Sequence, residues 1–165
     1  MATLTILEKT GALLEVKRGI SEKRSLTEKE KWAYLAGLID ADGCICLCKK
    51  GNRVHYVVLL SFCNTNKEVV DYVAKELDVN SHYIQPERYI RNAKKLYTAH
   101  LWSRSRTKKV LEKMLPYLII KWKRAKLAIE YQTLHKWRQG MRTPLLPREE
   151  EIFKEMKLLN HQGLR

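Results

Sequence analysis

Two carboxylates one residue apart, Asp40 and Asp42, end the run Leu35-Ala36-Gly37-Leu38-Ile39-Asp40-Ala41-Asp42-Gly43. Ala33, Gly37 and Ala41 recur at every fourth position, so a helix through them has one face nearly bare of side chains. Such a face lets another backbone approach closely. Either a strand or loop of the same chain packs there, or the helix meets its own copy across a two-fold axis. In the second case Ala33, Ala36, Gly37, Asp40 and Ala41 form the contact. Acids are disfavoured at the C-terminal end of a helix, where the macrodipole is negative. Two copies side by side would gather four carboxylates, which resist joint ionisation unless a cation compensates them. Carboxylate and carbonyl oxygens of this kind suit a hard divalent ion such as Mg²⁺. The alternative is a pair of ordinary carboxylates solvated at a loop.

Cysteines follow at once. Cys44, Cys46 and Cys48 alternate along the chain, with Cys63 beyond them. On a strand the first three point to one face. Their spacing does not match zinc sites, whose ligand pairs are usually two to four residues apart, so no structural metal is assigned to them. The opening residues show no basic stretch leading into an apolar one, so no secretory signal is read. The thiols are therefore expected to be reduced, in an intracellular reducing compartment and not in a secreted protein.

The elements that must position these groups can be read from spacing. Thr27-Glu28-Lys29-Glu30 has capping-box spacing and predicts a helix from there to about residue 40, ending at Gly43 in a left-handed turn. Alternation over 44–50, a Gly51-Asn52 turn and a second run over 54–63 predict a hairpin. Thr65-Asn66-Lys67-Glu68 repeats the capping-box spacing. It opens a helix with Val69, Val70, Val73, Ala74 and Leu77 as its apolar stripe. A second hairpin is expected over 81–103, turning at 91–94. It places Tyr97, Ala99 and Leu101 on one face and Thr98, His100 and Trp102 on the other. Pro86 marks its first strand as an edge or a bulge. Helices over 107–115 and 123–137 follow, interrupted at Pro116. A last helix starts at Pro147, with acids in its first turn. The organisation predicted is an N-terminal arm (1–25), a core (26–137), and a connector with a C-terminal helix (138–165). The class is α+β: an antiparallel sheet with helices on one face and the other face free.

Charge narrows the partner. Among 165 residues, 32 Lys and Arg oppose 18 Asp and Glu, a net charge of +14. With 45% hydrophobic and 30% charged residues the composition is globular rather than disordered. So large a basic excess points to a polyanion: DNA, RNA or an anionic membrane surface. No apolar run approaches the ~18–20 residues of a membrane span.

Residues 35–43 spell LAGLIDADG without substitution, and over roughly residues 27–135 the chain resembles the LAGLIDADG homing endonucleases. The resemblance implies an αββαββα core whose saddle-shaped antiparallel sheet straddles DNA, here with an extra C-terminal helix. It implies a site-specific endonuclease that hydrolyses phosphodiester bonds in both strands of a long pseudo-palindromic target and leaves 3′ overhangs. One copy of the motif is present, and single-motif members act as homodimers. The implied cofactor is Mg²⁺ at the dimer dyad, with Mn²⁺ substituting and Ca²⁺ binding without supporting cleavage. Double-stranded DNA and a second copy are the implied partners, with no membrane and no small-molecule substrate. The implied setting is a prokaryotic or phage-host cytoplasm, or a chloroplast or mitochondrion. Position by position, Asp42 matches the metal-binding acid and the Ala41 carbonyl an added ligand. Asp40 matches the acid that serves helix termination. Asn66 falls where many relatives carry a water-positioning Gln, and Lys121 where they place a basic residue near the scissile phosphate.

Two-stranded ribbons fit the major groove, so base reading is assigned to the sheet's free face. On the first strand this row comprises Cys44, Cys46, Cys48 and Lys50, with Arg53 in the turn. Val57, Leu59, Ser61 and Cys63 follow on the second strand, Tyr83, Gln85, Arg88 and Arg91 on the third, and Thr98, His100 and Trp102 on the fourth. Lys94, Arg104, Lys121 and Lys123 are assigned to the DNA as well, the basic run from 104 to 126 following phosphates. The alternatives are an RNA maturase that assists intron splicing and a non-catalytic DNA-binding regulator on the same scaffold. The presence of Asp42 favours cleavage over the maturase reading, and a regulator of this kind is expected to carry an added helix-turn-helix domain, for which neither the arm nor the last ~30 residues look sufficient.

Overall fold

The computed structural model describes residues 25–49, 56–84, 95–134 and 144–161. The capping box at Thr27 forms as spaced. Its side chain accepts from the Glu30 amide, and the Glu30 carboxylate accepts from the Thr27 amide at 2.9 Å. Helix α1 (Glu28–Asp42) starts there and runs without a loop into strand β1 (Gly43–Lys49). Trp32, Leu35, Ala36 and Ile39 turn into the core. Gly43 is extended, at φ −85° and ψ 164°, so the left-handed turn expected there is absent. A close approach requires the glycine instead: a Cβ would lie 2.7 Å from Ile39 Cα and 2.8 Å from the Ile39 carbonyl oxygen.

Strand β2 (Tyr56–Asn64) pairs antiparallel with β1, setting Gly43 against Phe62, Cys46 against Leu59 and Cys48 against Val57. Helix α2 (Lys67–Glu76) starts one residue later than the second capping-box spacing predicts. Asn66, not Thr65, is its cap: Oδ1 accepts from the Glu68 and Val69 amides at 3.0 and 3.4 Å. Asparagine caps a helix at least as well as threonine. Strands β3 (Ser81–Ile84) and β4 (Leu96–Leu101) complete the sheet, in the order β1-β2-β4-β3 with antiparallel neighbours. Helix α3 (Arg104–Met114), a 3₁₀ turn at Leu115–Tyr117 containing Pro116, and helices α4 (Trp122–Leu134) and α5 (Pro147–His161) follow.

The helices cover one face of the sheet. Ile45, Leu47, Val58, Leu60, Phe62, Ala99 and Leu101 meet Val70, Val73, Leu111, Met114, Ala125 and Ala128 there. Each large side chain so buried contributes roughly 1.5–3 kcal/mol relative to exposure. Helix α5 belongs to this core: Ile152 and Met156 are buried in it, Tyr56 stacks on Phe153 at 3.9 Å, and Arg124 donates to the Leu159 carbonyl. The Tyr131 hydroxyl fastens the start of β2, accepting from the Tyr56 amide and donating to its carbonyl. No described helix is long and apolar enough to cross a membrane. All but the last residue of the expected arm (1–25), the turns expected at 51–52 and 91–94, Pro86, and the expected helix end over 135–137 lie outside the described residues.

Candidate active site

Asp42 is the last residue of α1, and its carboxylate lies at the protein surface. On the exposed face of that helix stand Ala33, Gly37 and Ala41, and a Cβ built on Gly37 meets nothing within 4 Å. No segment among the described residues packs against that glycine. Ala36, expected in the same contact, is instead fully buried in the chain's own core. A 100° turn separates it from Gly37, which carries it to the inner face.

Asp40 and Lys121 form a reciprocal clasp. The Asp40 carboxylate turns away from the helix end and accepts three amides just before α4: Ile119 at 2.6 Å, Ile120 at 3.1 Å and Lys121 at 2.9 Å. In return, Lys121 Nζ donates to the carbonyls of Ile39 at 2.7 Å, Asp40 at 2.6 Å and Ala41 at 3.4 Å. Helix C-terminal carbonyls lack partners of their own and attract a cation. Lys121 is only 8% exposed. Burial, and then the nearby Arg124, lower its pKa from the ordinary lysine value. The ammonium expected at a phosphate thus holds the end of α1, and of the two motif acids only Asp42 stays outside this clasp.

Sequence reasoning missed Asn64. Its Nδ2 donates to Asp42 Oδ2 at 2.7 Å, and its Oδ1 accepts from the Asn66 amide at 2.8 Å. It therefore ties the acid to the start of α2, while Asn66, which the resemblance implied as the water-positioning residue, spends its oxygen on the helix cap. The available signal was the hairpin register, which draws the end of β2 alongside the end of α1.

The free face of the sheet carries most of the expected row. Cys44 is exposed and Cys46 and Cys48 half-buried, opposite Ser61, Leu59 and Val57. A hydrogen bond from the Cys46 thiol holds Cys44 down to about 6, helped by the positive charges of Arg124 and Lys121. The same bond, with burial, pushes Cys46 up. Cys63 Sγ contacts Thr98 Oγ1 at 3.0 Å, and Thr98 contacts His100 Nε2 at 3.1 Å. Thr98 and Ser61 are buried, at 2% and 7% exposure, and so offer no side chain to a ligand as the row stands. Trp102 is exposed beside His100.

Two placements differ from expectation, those of Tyr83 and Arg104. Tyr83 lies opposite Tyr97, on the helix side, while His82 lies opposite Thr98 and faces the open side. Arg104 is half-buried and donates to the Gln132 carbonyl at 3.2 Å, satisfying the end of α4. Lys123 is exposed over the Trp122 ring. Lys50, Arg53, Gln85, Arg88, Arg91 and Lys94 lie outside the described residues.

Among the described residues no three His, Cys, Asp or Glu side chains converge to hold an ion. The Asp42 carboxylate and Ala41 carbonyl are right in kind for Mg²⁺ and too few in number. A second copy of the same pair would bring the protein donors to four, and waters or phosphate oxygens would complete an octahedral shell.

No protein-family model matches the sequence, and no curated protein matches it. Solved structures match the fold. The homing endonuclease I-CvuI, in complex with an I-CreI target in the presence of Mg, has a TM-score of 0.52 at 24% identity, covering 83% of this chain and 82% of that one. I-SmaMI, bound to an uncleaved DNA target in the presence of calcium ions, gives 0.53 at 16% identity, over 81% of this chain and 44% of that one. The LAGLIDADG homing endonuclease I-SmaMI bound to cleaved DNA gives 0.51 at 18% identity, over 81% and 43%. The chain has the LAGLIDADG homing endonuclease fold. It spans most of the I-CvuI chain and less than half of the I-SmaMI chain. Within this LAGLIDADG fold, α1 is the motif helix, and its nine residues end at the glycine that lets the chain turn straight into the sheet.

Proposed function

We propose that the chain is a site-specific endonuclease for double-stranded DNA, active as a homodimer, with one Asp42 from each copy holding Mg²⁺ between them. The observation that carries this reading is a solvent-facing carboxylate at the end of a helix whose outer face, at Ala33, Gly37 and Ala41, is bare and uncovered. Helix pairing through that face would bring the two Asp42 residues together. A divalent metal held there supplies Lewis-acid stabilisation of a phosphoryl oxygen and an acidified water. The chain's own residues do the positioning. Asn64 orients the Asp42 carboxylate, and Lys121 holds the last carbonyls of α1, Ala41 among them. Asp40 locks the start of α4 to the same point. The open face of the sheet lies on DNA, where apolar Val57 and Leu59 suit thymine methyls and His100 suits a base edge. Cleavage with 3′ overhangs, at an intron-homing site, follows from the resemblance of the motif.

The fold neighbours bound to DNA support the substrate class. Incubation with a randomised duplex library in Mg²⁺ tests the reading. Double-strand breaks at a narrow set of long sites support it. Duplex bound without breaks, or structured RNA bound in preference to duplex, overturns it in favour of a regulator or a maturase.

A further inference from the structure

At the start of β3 the end of α2 with the turn that follows it, the first turn of α3 and open-face side chains of β3 and β4 line an open groove of about 490 Å³. Lys75, Asp78, Asn80, His82, His100 and Arg106 line it. Arg106 donates to the Asp78 carbonyl at 2.9 Å and pairs with the Asp78 carboxylate. Asp78 is thereby neutralised, and the charge of Lys75 is left over.

His100 is tied into the sheet through one ring nitrogen: its Nε2 lies 3.1 Å from Thr98 Oγ1, which is also within hydrogen-bond distance of the Phe62 carbonyl and Cys63 Sγ. The other ring nitrogen, Nδ1, is buried and finds no partner among the described residues. In the protonated ring Nδ1 is a buried donor in need of an acceptor. Burial, and then His82, keep the His100 pKa below the ordinary histidine value. The groups set around the imidazole are His82 on β3, Cys63 of β2 through Thr98, Lys75 of α2, Asp78 of the turn and Arg106 of α3. In sum they are positive, and an anion is what would let the ring take a proton.

We propose that this groove is a pH-dependent site for one phosphate group, held by Arg106, Lys75 and His82 and completed by a proton on His100. A phosphate of the DNA backbone and free phosphate share this chemistry. The DNA source rests on the nuclease reading, and the oxyanion site itself does not.

Sulfate is the probe, because it stays a dianion throughout the range tested and leaves any pH dependence to the protein. The full chain is titrated with sulfate at about pH 5.5 and about pH 8, following the His82 and His100 Cε1–H signals by NMR. Each linked proton changes affinity by at most tenfold per pH unit, and the expected gain on acidification is about tenfold or more. Arg106→Gln and Lys75→Gln should weaken sulfate about fivefold each with an unchanged circular dichroism spectrum. His100→Gln, which cannot titrate, should remove the His100 share of the pH dependence and leave at most that of His82, and a pH dependence unchanged by it overturns the role of His100. No saturable shift at the lower pH, or equal affinity at both, overturns the proposal. The source is then read from duplex affinity against salt. If a backbone phosphate sits here, Arg106→Gln lowers the log–log slope by about 0.9. An unchanged slope with sulfate binding intact assigns the site to free phosphate. Sulfate binding in a chain that binds no duplex leaves the site standing and removes the nuclease reading.

Discussion

Replacing Asp40 separates its structural role from metal binding. Its carboxylate accepts three amides, at 2.6, 3.1 and 2.9 Å. Hydrogen bonds to a charged group are worth about 1.5–3 kcal/mol each, and the loss of a helix cap about 0.5–2 kcal/mol. The sum does not apply here. Ile119 and Ile120 are 83% and 70% exposed, so their amides turn to water, and only the Lys121 amide is left in a buried setting. The expected cost of Asp40→Ala is therefore about 2–3 kcal/mol. A domain of 150–250 residues loses roughly 2–4 °C per kcal/mol, so Tm should fall by roughly 4–12 °C. Asp40→Asn keeps one acceptor oxygen and should lose about half as much. Thermal melts give the stability, and Ca²⁺ titration of the DNA complex by calorimetry gives the cation affinity. Asp40→Ala should melt early and bind Ca²⁺ as the wild type does. Unchanged stability with lost Ca²⁺ binding would return Asp40 to the metal ligands and refute the clasp.

The two motif glycines should part company. Gly43→Ala drives a Cβ into Ile39 backbone and should cost about 2 kcal/mol or more in urea unfolding. Gly37→Ala meets empty space and should stabilise the folded chain by roughly 0.5–1 kcal/mol. Gly37→Leu should weaken self-association by sedimentation, and equal stability losses at both glycines would contradict the assignment. Iodoacetamide should alkylate Cys44 with a rate that rises through a midpoint of about 6, and Cys46→Ala should move the midpoint toward the ordinary 9.0. A midpoint indifferent to Cys46 would remove the hydrogen bond as its cause. Lys121, with its pKa lowered by burial from 10.5, binds its proton less tightly in the folded chain than in the unfolded one. Stability should therefore rise with pH from that lowered value up to about 10.5, and Lys121→Met should flatten the rise in a urea series. A profile unchanged by the substitution would contradict the burial.

Local rules carried the parts of this protein that depend on neighbours in sequence. Thr27 and Glu30 make their own capping box, and Ile45 and Leu47 go inward because their alternation matches the pleat. The register of β1 on β2 then follows from keeping Phe62, Leu60 and Val58 on the same side. The site was less legible because its bonds join distant segments. Nothing near Lys121 says that the carbonyls of Ile39 and Asp40 will need a cation, since that need is created by a helix ending more than seventy residues earlier. Asn64 reads as a strand end until the hairpin sets it beside Asp42. Tyr83 was given the wrong face because a strand as short as Ser81–Ile84 has too little alternation to set its parity. The nine-residue motif was legible throughout, yet only the structure divides its two acids, one into a clasp and one facing solvent.

The most direct test of the central claim is cleavage by the wild type against Asp42→Asn on a selected duplex target, with DNA affinity measured for both. Asparagine keeps the shape and is neutral where the carboxylate is anionic, so DNA binding should change little. In Mg²⁺ the wild type should cut both strands, while Asp42→Asn should bind with comparable affinity and leave the duplex intact. In Ca²⁺ both should bind without cutting. Cleavage by Asp42→Asn at the wild-type rate would contradict the account.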